Sequence, residues 1–387
     1  MIKKIIASVL VATMLVIAPS VSNLKVKAFI NKSEFKSVMQ AAVEARKEYY
    51  EHKTPVSVKI KSKSKNAQSL YDSLQDEIFA ETDNPNEGDY MRWDVDKTRT
   101  TYYVEQSGSY YYYDFTINIK YLTTVAQRDE LDQKVNSLIA SFGFTDTTSQ
   151  YDKVKKVYNY VTKNVKYVNS KSLSAYSAYS AMVNNKAVCQ GYASLLYKIY
   201  RTMGISTRLV AGSSTFSGEN HGWNIVKIGN YYYNVDATWD STLEHAGKKY
   251  KYFLKGDSFS GHKRWKQYKK AYFYYKYPMA AKAYDPKVTA KPSTNTKIAR
   301  FKYKKPQIKA ISRSKVVINK VAGAKYQIKY SSVNTFKSGY TKVVKSKKNK
   351  YKFKKLKKGV KYYVKARAFK KIKGKKYYTR WSSVSVI

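Results

Sequence analysis

The chain of 387 residues carries 74 lysines and arginines against 26 acidic residues, a formal net charge of +48, and 43% of its residues are hydrophobic. That hydrophobic content is sufficient for packed cores, and about 360 residues beyond the N-terminal segment exceed what one core usually serves, so we expect two or three domains. The single cysteine excludes an internal disulfide framework.

The first 28 residues have the pattern of a secretory signal. Two lysines precede an apolar run over residues 5–17, and small residues follow it up to Ala28. The run is shorter than the roughly 20 residues that cross a bilayer, so we predict cleavage after Ala28. No second long apolar segment follows. We therefore expect a protein that is secreted, extracellular or cell-wall associated, with no transmembrane anchor.

Residues 29–146 have the pattern of a small α+β domain. A capped helix, strands joined by a hairpin turn and a second capped helix follow one another, and nothing among them indicates chemistry. The residues that carry these features are Asn31 with Glu34 at the first cap, the strand at 56–61, the turn at 107–109, and the capping box of Thr124 with Gln127 ahead of a helix that Gly143 ends.

Residues 147–279 have a helical pattern first and a strand pattern second. Apolar residues at helical spacing predict one helix over residues 151–165 and another that starts near Cys189 and ends at Gly204. The period then changes to two. The predicted strands are at 208–212, 221–228 and 231–239, the last two joined by the two-residue turn Gly229-Asn230.

Three residues of this segment fit nucleophilic catalysis. Cys189 lies at the start of a helix, where free N–H groups and the helix dipole stabilise a thiolate. His221 opens a strand, and with the turn at 229–230 it falls opposite residue 238, so Asp236 is its diagonal neighbour. A carboxylate there can hold one imidazole nitrogen while the other faces the sulfur. This is the arrangement of nucleophile, base and orienting acid used in acyl transfer.

Other interpretations of the cysteine exist. A lone cysteine at a helix start is more often a small core residue than a nucleophile, and in an exported chain it can also form an intermolecular link. The joint occurrence of Cys189 with His221 and Asp236 favours catalysis. The remaining histidines have no comparable partner in the sequence, and we assign them to surface or loop positions: His52, His245 and His262.

The stretches KAVCQGYASLLYKIYRTMGISTRLVAG and ENHGWNIVKIGNYYYNVDATWD resemble the transglutaminase-like superfamily, which has a papain-related fold. The resemblance covers about residues 150–265. It implies that Cys189 is the nucleophile, His221 the general base and acid, and Asp236 the orienting carboxylate. It also implies an oxyanion hole made by the Cys189 amide and a second donor that the sequence does not identify. The family contains protein cross-linkers, peptidases, amidases and inactive forms.

Four further residues in these stretches are interpreted as supports or lining of the site: Gln190, Trp223, Asn224 and Trp239. The sequence has no acidic calcium loop, histidine cluster or second cysteine, so we predict neither a metal site nor a cofactor, and the calcium dependence of animal transglutaminases is not carried over. The implied substrate is a protein or peptide amide. A lysine amine as acceptor makes the enzyme a cross-linking transferase and water makes it a hydrolase, and the sequence leaves both open.

The last part of the chain has an all-β pattern. Residues 280–296 are a linker rich in Pro, Ser, Thr and Lys, and residues 297–387 hold about seven short alternating runs, which predict a β-sandwich. The stretch LKKGVKYYVKARA resembles a fibronectin type III strand, with Tyr362 at the spacing of a tyrosine corner, although Ile318 stands where that family usually has tryptophan. The predicted fold class is α+β: a papain-like transglutaminase core, with helices packed on an antiparallel sheet, between a small α+β domain and an all-β sandwich.

The predicted sandwich is strongly basic. From Pro286 to Ile387 there are 33 lysines and arginines and no acidic residue. Such a surface attracts polyanions by counterion release. Because we expect export, anionic cell-wall polymers such as teichoic acid are favoured over nucleic acid as its partner; the alternative is a solvated surface with no specific partner. The rival for the whole chain is a non-catalytic wall-binding or adhesion protein whose papain-like core is only a scaffold.

Overall fold

The computed structural model describes residues 31–387 and, for the backbone only, the two-residue strand β1, Leu15–Val16. Apart from that strand, the predicted signal over residues 1–28 lies outside the described residues. The chain divides into two compact units, residues 1–265 and residues 266–387. Within the part of the chain that the structure describes, no helix is both long and apolar enough to cross a membrane.

The first half of unit 1 packs helices on one face of a sheet. The helices and strands are α1 (Val38–Tyr50), β2 (Val56–Ser62), α2 (Ala67–Ile78), α3 (Asp89–Asp94), β3 (Val95–Ser107) and β4 (Tyr110–Tyr121). The sheet order is β1-β3-β4-β2, and β4 is antiparallel to both β2 and β3. The predicted hairpin around residues 107–109 is confirmed, since Ser107 pairs with Tyr110.

Two features of this half differ from the sequence prediction. Asn31 caps only a 3-10 turn over Lys32–Glu34, and the capping box of α1 is formed by Ser37 and Gln40. Helix α2 was not predicted, although Asn66 caps it and its buried residues follow helical spacing. The first difference arises because Asn31, Ser33 and Ser37 lie close together and each can cap a helix.

The second half of unit 1 places helices around an antiparallel sheet, as the predicted fold class requires. Its helices are α4 (Val125–Ser141), α5 (Gln150–Asn164), α6 (Ala178–Val183), α7 (Cys189–Thr202) and α8 (Ala237–His245), with a 3-10 turn at Leu173–Tyr176. Its strands are β5 (Lys166–Tyr167), β6 (Lys186–Ala187), β7 (Thr207–Ser214), β8 (Asn220–Ile228), β9 (Tyr231–Val235) and β10 (His262–Arg264). The main sheet has the order β10-β7-β8-β9, and every residue of α7 from Cys189 to Tyr200 is buried.

The capping predictions for α4 are confirmed, and the predicted end of β9 is wrong. Thr124 and Gln127 form a capping box at the start of α4. The strand predicted over residues 231–239 ends at Val235, and Asp236 is the N-cap of α8. A carboxylate that satisfies the free N–H groups of a helix start is worth about 1 kcal/mol, which favours the helix over a longer strand. Asp236 is therefore placed by a helix start and not by strand pairing.

Unit 2 is a β-sandwich preceded by two short helices, which bears out the all-β prediction for the sheet region. Its elements are α9 (Ala271–Lys276), α10 (Thr294–Tyr303), β11 (Ile308–Ser312), β12 (Lys315–Ile318), β13 (Lys325–Ser331), β14 (Thr341–Ser346), β15 (Lys350–Lys352), β16 (Tyr363–Ile372), β17 (Lys375–Tyr378) and β18 (Ser385–Val386). One sheet has the order β11-β12-β15 and the other β14-β13-β16-β17, with β18 also paired to β16.

Helix α10 corrects the expectation of a linker followed directly by strands. It covers the end of the predicted linker over residues 280–296 and the first residues of the predicted sandwich. Ser293 caps the helix by accepting from the Thr296 amide at 3.1 Å, and Thr296 is fully buried. The polar composition that predicted a linker is thus used in a helix cap.

Strand β16 follows the predicted alternation. Val364, Ala366 and Ala368 are buried, and Ile318 from the other sheet lies in the same core. The Tyr362 hydroxyl accepts a hydrogen bond from the Lys357 amide at 3.3 Å, as a tyrosine corner does. The fibronectin type III assignment and the finer domain boundaries stay predictions.

Candidate active site

The structure brings the three predicted catalytic side chains into one contact chain. The Nε2 atom of His221 lies 2.8 Å from Oδ2 of Asp236. The thiol of Cys189 is a hydrogen-bonding and electrostatic partner of the same imidazole. Because Nε2 is engaged by Asp236, Nδ1 is the nitrogen left to face the sulfur. The sulfur belongs to the first residue of α7, whose N–H has no acceptor within the helix.

Burial and charge together favour an ion pair at this site. Cys189, His221 and Asp236 are 1%, 4% and 1% exposed. Burial opposes the charged imidazole, but the charge and hydrogen bond of Asp236 prevail and raise the pKa of His221 to about 10. Burial also opposes the charged carboxylate, but the charge and hydrogen bond of His221 hold the pKa of Asp236 well below its usual range. At neutral pH the His221 imidazole therefore carries a positive charge, and this charge lies beside the sulfur of Cys189.

The carboxylate of Asp236 is held from several sides. Its Oδ1 accepts from the amides of Thr238 at 3.0 Å and Trp239 at 3.3 Å, the first turn of α8. The Tyr158 hydroxyl lies 2.7 Å from the backbone carbonyl of Asp236 and 2.6 Å from Oδ2 of Asp240, so these two acceptors share its one proton. These bonds aim Oδ2 at His221.

His262 contradicts the surface or loop assignment. Its side chain is 1% exposed, and its Nε2 lies 3.0 Å from Asp236 Oδ2. Pairing of β10 with β7, where His262 is opposite Ser214, delivers it from 26 residues beyond Asp236 along the chain. No local sequence signal marks such a contact.

The other two histidines, His52 and His245, lie in different environments. His52 lies in the turn after α1, as the loop assignment expects, but its side chain is only 12% exposed and its Nε2 lies 3.3 Å from Asp94. His245 contacts the Ser241 carbonyl at 2.8 Å inside its own helix. Neither lies in the contact chain of Cys189.

Two of the predicted supports pack on the imidazole of His221. The ring of Trp239 is nearly parallel to that of His221, with centroids 4.8 Å apart, and the ring of Trp223 is 6.1 Å away. The indole N–H of Trp223 donates to Asn234 at 3.1 Å. These rings shield the imidazole from water and limit its rotation.

The other two predicted supports hold the backbone. The Gln190 amide donates to the Trp93 carbonyl at 2.8 Å, and the Asn224 amide donates to the Ala193 carbonyl at 2.9 Å. The first contact ties α7 to the N-terminal half of unit 1, and the second ties α7 to β8. Both position the helix that carries the sulfur.

Tyr167 is a site residue that the sequence did not indicate. Its ring and that of Trp265 pack against Cys189. Its hydroxyl is buried and has no hydrogen-bond partner among the described residues. Burial, reinforced by the nearby Cys189, raises the pKa of Tyr167, so the hydroxyl remains a proton donor. A buried, unused donor beside a nucleophile is available to a substrate.

His221, Asp236 and His262 each have one atom that could bind a metal ion, and these three atoms lie within 4.8 Å of one another. The carboxylate oxygen accepts from both imidazoles at 2.8 and 3.0 Å, which are direct hydrogen-bond lengths. We therefore interpret the group as a hydrogen-bonded proton network.

Residues 141–237 match the family model of the Transglutaminase-like superfamily. This segment includes all three residues of the contact chain, at the positions that the sequence resemblance indicated. The match covers a quarter of the chain.

Curated relatives are similar over the same region. The human kyphoscoliosis peptidase is 26% identical over 137 residues, which are 32% of this chain and 20% of that protein. Its mouse counterpart is 26% identical over 123 residues, or 28% of this chain and 18% of that protein. The matched part thus spans about a fifth of the length of these relatives.

Solved structures show weaker similarity. A structure described as that of a TGase aligns with a TM-score of 0.27 and 15% identity, over 45% of this chain and 58% of that one. A putative cysteine protease from Cytophaga hutchinsonii aligns with a TM-score of 0.25 and 16% identity, over 37% of this chain and 65% of that one. Red sea bream transglutaminase aligns with a TM-score of 0.16 and 8% identity, over 90% of this chain and 83% of that one. These scores do not establish a shared fold.

Proposed function

We propose that this chain, which contains a transglutaminase-like domain, is a secreted cysteine-dependent acyl-transfer enzyme that acts on protein or peptide amides at the cell surface. The observation that carries the proposal is the buried contact chain from the Cys189 thiol through His221 to Asp236. In this chain Nε2 of His221 lies 2.8 Å from Oδ2 of Asp236. A cysteine that merely filled a core would need neither a cationic imidazole nor an oriented carboxylate beside it.

The geometry supports a two-step reaction. The Cys189 thiolate attacks the amide carbonyl carbon and forms a C–S bond, and His221 gives its proton to the nitrogen as the C–N bond breaks. A lysine amine or water then attacks the thioester. His221 takes the proton of this second nucleophile, and the sulfur leaves as thiolate. Asp236 keeps the imidazole oriented throughout and stabilises its charged form.

We assign the missing oxyanion donor to Tyr167. Charge develops on the carbonyl oxygen next to the sulfur, where the Cys189 amide is free at the helix start and the Tyr167 hydroxyl is buried without a partner among the described residues. Two donors around one developing oxyanion lower the barrier more than they stabilise the bound amide.

Removing this hydroxyl should slow the chemical step. Tyr167→Phe is expected to lower kcat about 100-fold with little change in KM, the usual cost of one oxyanion donor. Tyr179→Phe is a matched control, because the Tyr179 hydroxyl donates to Glu130 and not to the site. Steady-state kinetics decides, and unchanged kcat in Tyr167→Phe removes the residue from this role.

The thiol's reactivity tests the enzyme against the scaffold alternative without knowledge of the substrate. Since Cys189 is covered by Tyr167 and Trp265, a small electrophile such as iodoacetamide is the suitable probe. At pH 6 an ordinary thiol is almost fully protonated, whereas a thiolate paired with His221 still reacts. We expect faster alkylation than of glutathione at pH 6, with no labelling of Cys189→Ala. A rate equal to that of glutathione favours the scaffold.

The acceptor is identified by a second assay. A glutamine-containing protein is incubated with a tagged primary amine, with Cys189→Ala as the control. Incorporation of the tag identifies a transferase. Ammonia release without incorporation identifies a hydrolase of carboxamides, and new amino termini identify a peptidase.

A second function is favoured by the charge of the C-terminal region. We propose that the sandwich in unit 2 holds the protein on an anionic cell-wall polymer, because 33 cations and no acid lie between Pro286 and Ile387. Binding to isolated cell walls that falls steeply with salt supports this, and retention at high salt contradicts it.

A further inference from the structure

We propose that His262 is a positioning residue for the same reaction. It shares the carboxylate of Asp236 with His221 and extends the contact chain to four side chains. This positioning role rests on the proposed function above, whereas the protonation state that it requires can be tested without that function.

One oxygen atom connects the two histidines. Asp236 Oδ2 lies 2.8 Å from Nε2 of His221 and 3.0 Å from Nε2 of His262. The other oxygen, Oδ1, accepts from two amides of α8. Every direction in which the carboxylate can accept is thus occupied within the protein, and the carboxylate cannot rotate without breaking one of these bonds.

The contacts of His262 determine where its proton lies. Its Nδ1 is 2.8 Å from the Ser260 carbonyl, so both ring nitrogens face groups that only accept. A bare Nε2 would point its lone pair at a carboxylate, whereas an N–H there forms a charge-assisted hydrogen bond. Nε2 is therefore protonated whether or not Nδ1 is. Burial, together with the charge of His221, lowers the pKa of His262 and opposes a second proton.

Aromatic rings enclose His262 and fix its plane. Phe259 is stacked on it at 3.7 Å, and Trp239 and Trp223 lie at 4.2 and 4.8 Å between ring centroids. A donor in such an enclosure loses little entropy when it binds the carboxylate. The titratable groups that face the ring are Asp236, His221 and Tyr252.

The consequence for the reaction is indirect. Without a donor at this place, Oδ2 keeps one hydrogen bond and the carboxylate gains freedom to swing away from His221. The imidazole would then lose its alignment with the sulfur, for which a displacement of about 1 Å costs about 100-fold in rate. The His262 side chain is 1% exposed and so has almost no surface for a substrate to touch, and we therefore expect the loss to fall on kcat.

Nuclear magnetic resonance tests the contact directly. The chain has four histidines, so ring ¹⁵N signals can be assigned by single substitutions. We expect the Nε2 nitrogen of His262 to show the shift of a protonated nitrogen, in the wild type and in Cys189→Ala. An unprotonated Nε2 overturns the proposal, whatever the activity of the protein.

Two substitutions test the role. His262→Gln retains an N–H donor at the place of Nε2, and His262→Phe retains the ring without a donor. We expect the Phe variant to lose about 100-fold in kcat with KM nearly unchanged, and the Gln variant to recover most of the loss. His245→Gln is the matched control, since among the described residues His245 has hydrogen-bond partners only within its own helix.

The outcomes separate this proposal from the proposed function. Wild-type alkylation no faster than that of glutathione counts against the enzyme, while the ¹⁵N shift still decides the contact. Fast wild-type alkylation with an equally active His262→Phe overturns the positioning role alone. Equal loss in folded Gln and Phe variants, with native near-ultraviolet circular dichroism, also overturns it, because a donor then restores nothing.

Discussion

His221→Ala is expected to lower kcat/KM by about 10⁴- to 10⁶-fold, the largest effect of any single substitution in this protein apart from loss of the sulfur itself. In the proposed mechanism the imidazole of His221 performs two tasks: it is the counter-ion of the thiolate, and it delivers a proton to the leaving nitrogen. Both depend on the pKa of His221, raised to about 10 by Asp236 against the effect of burial. Without the ring, no positive charge remains between the sulfur and the buried carboxylate of Asp236.

The three side chains act as one unit, so their losses should not add. Cys189→Ala and the double variant with His221→Ala are expected to have the same residual rate. Steady-state kinetics on the amide substrate, with iodoacetamide alkylation as a second readout for His221→Ala, measures this. A His221→Ala variant with wild-type alkylation at pH 6 would falsify the ion-pair account. His245→Ala should retain wild-type rates, since the hydrogen bonds of its ring to other described residues stay within its own helix.

Asp236→Asn is expected to lower kcat by about 10⁴-fold while the protein stays folded. Asparagine caps helices as well as aspartate does, so the bonds to the Thr238 and Trp239 amides can persist. The charge that stabilises the imidazolium is lost. The substitution therefore separates the electrostatic role of Asp236 from its structural role at the start of α8.

The pH dependence of this variant has a defined sign. Asp236 is the group that raises the pKa of His221 to about 10, so in Asp236→Asn this pKa should fall toward the ordinary 6.5. The alkaline limb of the pH–rate profile should therefore shift to lower pH. A raised histidine pKa stabilises the fold fully below about pH 6.5, and this contribution is lost as pH rises through about 10.

The stability difference between the wild type and Asp236→Asn should therefore narrow between pH 6.5 and 10. Denaturant unfolding at several pH values, followed by circular dichroism, measures it. A difference that widens with pH contradicts the assignment of the positive charge to His221. An unchanged alkaline limb in the variant contradicts the role of Asp236 as its cause.

Much of the fold could be predicted from local patterns. Helical spacing located α5 and α7, the change to period two located β7 and β8, and Thr124 with Gln127 located the start of α4. The prediction of an α+β region followed by an all-β sandwich is also confirmed, because the strand pattern of period two is local as well. Local errors occurred where a polar residue caps a different turn from the predicted one, as Asn31 does, or where a polar run predicted a linker and the chain forms α10.

The sequence by itself determined that Cys189, His221 and Asp236 are candidate catalytic residues. Each lies at a helix start or on a strand, and local sequence patterns predict these elements. Only the tertiary structure decided that Asp236 is held at a helix cap, that His262 contacts the same carboxylate oxygen as His221, and that the Tyr167 hydroxyl has no hydrogen-bond partner among the described residues. These contacts join residues distant along the chain through sheet pairing and core packing. Such contacts depend on the whole fold, and no local pattern of apolar and polar residues encodes them.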